Sequence, residues 1–163
     1  MMKYRTTYNS INIISIIFGG LFLANLYKES EMIWFILTDN KAGWDFSVVL
    51  YFLPLLILPT ATLLFFIRKK AGWILLAIYL AYSAISTLIL LFWSINIGTL
   101  GIPVLDSLFP QPSSIVCILS FLFFSGTLWI ICKENIRNIY IVNKKLMLST
   151  IGIISILVFS IFI

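Results

Sequence analysis

The sequence predicts an all-α fold: a polytopic transmembrane helical bundle of five spans. Three observations carry this. The 163 residues are 61% hydrophobic and 10% charged, whereas soluble domains carry roughly 25% charged residues. The apolar residues gather into five runs, at about 10–26, 46–67, 73–95, 114–132 and 146–163, each close to the ~20 residues a helix needs to cross a bilayer. The charges lie between those runs. Residues 1–163 are expected to form a single integral-membrane domain, since a separate soluble domain needs ~50 residues or more.

The first run follows Lys3 and Arg5, with Ser10 as the expected cap. A basic start and an apolar run also suit a signal peptide. No small-x-small cleavage site follows, because Phe22 stands two positions before Ala24, so a retained span is expected. The acidic stretch 27–45 holds Glu29, Glu31, Asp39 and Asp45. Its apolar centre, 32–37, is too short to cross and is expected at the interface or across the bundle mouth.

The second run contains Pro54 and Pro59. Each removes a helix hydrogen bond and presses on the carbonyl four residues back. A bent or locally opened helix is expected there, with Thr60 or Thr62 satisfying freed carbonyls. A hinge of three cations, Arg68, Lys69 and Lys70, leads into the third run.

The third run has two faces at 100° per residue. Ala77, Ala81 and Ala84 form a smooth stripe, and Tyr79, Tyr82, Ser83 and Ser86 cluster opposite it. Residues 96–114, with Gly98, Gly101, Pro103, Pro110 and Pro112, break regular structure. Ser113 or Ser114 caps the fourth run. The linker 133–145 is basic, and Ile136, Ile139 and Tyr140 share one helical face, as in an interfacial helix resting on anionic headgroups. The fifth run is just long enough to cross.

The cations orient the bundle, because basic loops resist translocation. With the N-terminus, the 68–72 hinge and the 133–145 linker cytoplasmic, nine of the eleven cations lie inside (Lys3, Arg5, Arg68, Lys69, Lys70, Lys133, Arg137, Lys144 and Lys145), and only Lys28 and Lys41 lie outside. Five spans then put the C-terminus outside. Trp44, Trp73, Trp93 and Trp129 stand at span ends, where an aromatic belt is expected. The expected location is the cell membrane, as a multi-pass protein of a bacterial inner membrane.

Composition excludes several chemistries. No run contains Asp, Glu, Lys, Arg or His between its ends, and proton relays, charge-coupled pumps and voltage sensors use such residues. The chain has no His, so a Ser–His pair is impossible and zinc ligation is disfavoured. Cys117 and Cys132 are 15 residues apart, ~22 Å along a helix, beyond disulfide reach. The net charge of +5 is spread over span ends rather than gathered for nucleic acid. No catalytic, cofactor or metal residues are expected, and no cofactor.

Two constellations remain. Asn12, Ser15 and Asn25 with Tyr79, Tyr82, Ser83 and Ser86 either line a small-molecule cavity or hydrogen-bond between helices, and the second is the expectation. Pro54 and Pro59 mark a broken helix of the kind that borders transport sites. Gly20 with Ala24, the alanine stripe and Gly152 with Ser155 read as close helix-packing surfaces. In size and hydropathy the chain resembles small bacterial multi-span proteins such as self-immunity proteins and accessory subunits. The expected function is non-enzymatic: binding a partner in the bilayer, either another membrane protein or a second copy, with membrane lipids around it. The alternative is a small transporter or channel subunit with a path beside Pro54 and Pro59.

Overall fold

The structure is a computed structural model that describes residues 2–38, 46–96 and 113–162. Among these residues every regular element is a helix: α1 (Met2–Lys28), α2 (Ser30–Thr38), α3 (Phe46–Phe66), α4 (Lys70–Asn96), α5 (Ser114–Ile131), α6 (Glu134–Ile139) and α7 (Lys144–Phe162). Three are long and apolar enough to cross a membrane, over Thr7–Lys28, Lys70–Ile95 and Ser114–Ile131, and Leu56–Phe66 of α3 is a shorter apolar stretch. The chain divides into two compact units. One holds Met1–Leu76 with Glu134–Val142, the other Ala77–Lys133 with Asn143–Ile163.

In the first unit α1 packs along α3, and also meets α2 and α6. The pairing follows from spacing. Thr7, Ile11, Ile14, Ser15 and Phe18 are the buried residues of α1, and Leu58, Ala61, Thr62 and Phe65 those of α3. Both sets recur at i, i+3, i+4 and i+7, one stripe of a helix. Trp73 and Leu76 at the start of α4 complete this core, with Ile136, Tyr140 and Val142.

The α3–α4 turn is short and tightly bonded. Lys69 N–H donates to Leu64 O at 2.9 Å and Arg68 N–H to Phe65 O at 3.0 Å, the paired bonds of a Schellman end. Arg68 occupies the left-handed position with φ 63°, where glycine is the usual residue. Gly72 sits one turn later. A Cβ there would run into the Leu64 and Phe65 backbone, so only a glycine lets α4 start this close to the end of α3.

The same motif closes α6. Val142 N–H donates to Arg137 O at 3.0 Å and Ile141 N–H to Asn138 O at 3.3 Å. Ile141 takes the left-handed position at φ 55°, which is strained for a β-branched residue. Its side chain is exposed, while Tyr140 and Val142 on either side are buried.

In the second unit the buried residues include Ala77, Leu80, Ala81 and Ala84 of α4, Cys117 and Ile131 of α5, and Val158 of α7. Ser94 and Ser114 hydroxyls lie 3.0 Å apart. The Ser113 hydroxyl accepts from Val116 N–H and caps α5. Asn143 Oδ1 accepts from Leu146 N–H at 2.8 Å at the head of α7.

Several expectations change. Ser10 is not a cap, because α1 begins at Met2 and Ser10 lies in its third turn. The third run starts at Lys70, inside the cationic hinge, and not at Trp73. Trp73 is fully buried in the first unit, so it is a core residue rather than part of a belt. Trp93 and Trp129 are exposed. The Gly20 and Ala24 positions are exposed, and a Cβ at Gly20 or Gly152 would meet nothing, so neither glycine lets another helix of the described chain approach closely. The alanine stripe is buried as expected. On the linker face, Ile136 and Tyr140 are buried and Ile139 is half-buried. Asp39, Asp45, Trp44, Asp106 and the glycine- and proline-rich residues 97–112 lie outside the described residues.

Candidate functional site

Hydroxyls dominate the polar content of the helices, and most bond to their own backbone. Ser15 donates to Ile11 O at 2.9 Å, Thr60 to Leu56 O at 2.7 Å and Thr62 to Leu58 O at 2.7 Å. Thr87, Ser125, Thr127, Thr150 and Ser155 do likewise. A hydroxyl satisfied four residues back needs no water and no ligand, which suits an apolar surrounding. Thr60 and Thr62 thus direct their hydroxyls to the Leu56 and Leu58 carbonyls, and the carbonyl four residues before Pro59 is that of Leu55. The α-helix continues through both Pro54 and Pro59.

An open-sided groove of about 270 Å³ runs between α1 and α3, bordered by Ser15, Ile16, Gly19 and Phe22 on α1 and by Pro59, Thr62, Leu63 and Phe66 on α3. With the Ser15 and Thr62 hydroxyls already bonded, the wall offers carbon to whatever enters. The groove has one charged end. Phe66 is the last residue of α3 and Arg68 follows two positions later. The Arg68 guanidinium lies 4.3 Å from the centre of the Tyr8 ring, a cation–π contact that joins the turn to α1 two helical turns before Ser15.

Behind the same turn, Tyr140 donates its hydroxyl to Phe65 O at 2.6 Å. Its ring stacks on Phe65 with centroids 4.8 Å apart. Burial pushes the Tyr140 phenol well above its ordinary range, and the Arg68 charge opposes that only in part.

The sequence-chosen residues fall in two places. Asn12 is half-buried on α1 and does not border the groove, whereas Pro59 does. Pro54 lies within α3, and its side chain is outside the described set. Tyr79, Tyr82, Ser83 and Ser86 belong to the second unit. Tyr79 hydrogen-bonds with Ser83 and meets Phe124 edge-on at 6.2 Å. Tyr82 is exposed and does not join them. Ser86 Oγ is buried with no hydrogen-bond partner among the described residues.

Sequence reasoning passed over Gly19, Phe66, Gly72 and the Phe65–Tyr140 pair. Ser15 and Gly19 stand four apart on one helical face, a small-residue spacing legible in the sequence. It also passed over the outer face of α5. At 100° per residue Ile115, Leu119, Leu122, Phe123, Gly126 and Trp129 fall on one side. All but Gly126 are exposed apolar side chains, and a Cβ at Gly126 would meet nothing within 4 Å. Compared with protein-family models, curated proteins and solved structures, the chain matches none.

Proposed function

We propose that the chain is a non-enzymatic, multi-pass protein of a bacterial inner membrane that acts by binding a partner protein within the bilayer, as accessory subunits and immunity-type proteins do. In this reading it crosses five times, with its N-terminus cytoplasmic, and α3 and α7 are spans alongside the three helices of full length. The distribution of cations supports that orientation.

The observation that carries the partner reading is the α5 face. It is continuous and apolar, with its large side chains exposed, and at its centre stands a glycine whose added Cβ would meet nothing within 4 Å among the described residues. In a membrane, helices gain little from apolar contact alone and associate where small residues let backbones approach. Gly126, flanked by Leu122, Phe123 and Trp129, supplies such a notch for a helix of another protein. The solute-path alternative beside Pro54 and Pro59 draws less support, because the groove at Pro59 is apolar and its hydroxyls are bonded to their own helices.

The test is photo-crosslinking in native membranes from a reactive amino acid placed at Leu119 or Leu122. A single protein captured in stoichiometric amount, and lost on Gly126→Leu at unchanged abundance, is the expected result. Capture that Gly126→Leu leaves intact would remove α5 as the docking face.

A further inference from the structure

We infer that the α1–α3 groove is a binding site for an anionic phospholipid, with its phosphate on the Arg68–Lys69–Lys70 turn and one acyl chain lying along the groove past Gly19. The site is independent of the α5 face.

The depth is right for one leaflet. From Tyr8, beside Arg68, to Phe22 at the far end is ~21 Å along α1 at 1.5 Å per residue. The hydrocarbon of one leaflet is ~15 Å deep. The groove itself begins at Ser15, ~10 Å beyond Tyr8 on that rise, so a headgroup held at the turn places the deeper part of its chain in the groove. The walls present apolar side chains, with Gly19 among the α1 residues that border the groove and room there for a Cβ, which would meet nothing within 4 Å.

Charge at the headgroup end selects the lipid. Arg68, Lys69 and Lys70 are consecutive and exposed. Arg137 belongs to the same unit, as do the described acids Glu29, Glu31 and Glu134. The Tyr8 ring holds the Arg68 guanidinium on the α1 side of the turn, two helical turns before Ser15 and two residues beyond Phe66, the groove residue nearest the turn. Arg is suited to bind phosphate through paired N–H donors, and Lys adds a point charge. A zwitterionic lipid returns a positive amine to this cluster, whereas an anionic one does not.

Native mass spectrometry of the purified full chain tests the site, with added phosphatidylglycerol or phosphatidylethanolamine of identical acyl chains. Phosphatidylglycerol is expected to stay bound at collision energies that strip phosphatidylethanolamine. Gly19→Leu should lower retained phosphatidylglycerol about tenfold by filling the groove, while Gly20→Leu, one position round the helix and equally free of neighbours, should retain it. Replacing Arg68, Lys69 and Lys70 together by Gln should bring phosphatidylglycerol down to the phosphatidylethanolamine level, with helix content by circular dichroism unchanged. Equal retention of the two lipids by the native chain would overturn the proposal. So would equal retention by the Gly19→Leu and Gly20→Leu variants, or a native dimer that Gly19→Leu disperses, which would assign the groove to a second copy.

Discussion

The Tyr140 hydroxyl reaches the Phe65 carbonyl at 2.6 Å across 75 positions of sequence, and the two rings stack. Phe65 O also accepts the Arg68 N–H, so one carbonyl at the end of α3 holds both its own turn and the segment after α6. This is how the linker is pinned: Ile136, Tyr140 and Val142 are buried together with Phe65 and Trp73.

Tyr140→Phe keeps the stacked ring and removes one hydrogen bond, leaving Phe65 O with its Arg68 partner. The expected loss of stability is about 0.5–1.5 kcal/mol, read as a lower unfolding midpoint in detergent at neutral pH. The phenol's pKa is raised in the folded protein above its ordinary value of about 10. The neutral form is thus the one folding favours, and its contribution is fully present below pH ~10 and lost as pH rises through the folded value. The gap between native protein and Tyr140→Phe should therefore shrink above pH ~10. A gap that widens there would show that the hydroxyl does not donate to Phe65 as described.

Gly72→Ala should be far more damaging than its size suggests. The added Cβ meets backbone atoms of Leu64 and Phe65, which cannot rotate away as a side-chain tip would. The start of α4 must shift, and Trp73 and Leu76 with it. A cost of about 3 kcal/mol is expected for such overpacking, against near neutrality for Gly152→Ala, whose Cβ is free. Thermal unfolding of the two variants, compared with the native chain, measures the difference. Similar midpoints would mean that the hairpin is looser than the structure has it.

The proposed five-span topology places Met1 and Ile163 on opposite faces of the membrane. Reporter fusions at the two positions should accordingly give opposite locations, with the first cytoplasmic. A shared location would show that one of the five segments, most simply α7 or α1, does not cross.

Composition and periodicity determined the all-helical character of this protein and the approximate places of its helices. Apolar runs without charge have few alternatives in lipid, where each backbone group needs an internal partner. The alanine stripe of α4 and the cap at Ser113 were legible for similar reasons: both depend on residues near one another in sequence. What the tertiary structure decided are relations between distant residues. No local rule says that Tyr140 seeks Phe65, that Trp73 leaves an interfacial belt for the core, or that the groove forms where Ser15 and Gly19 lie beside Thr62 and Phe66. These depend on the register of α1 against α3, which the Arg68–Tyr8 contact marks at the charged end. A shift of one residue would rotate each helix by 100° and turn the same side chains elsewhere. The prolines show the opposite limit. Their sequence signal marks a bent or locally opened helix, and α3 stays helical through Pro54 and Pro59, because a proline removes one backbone bond and the bonds on either side suffice to carry the helix past it.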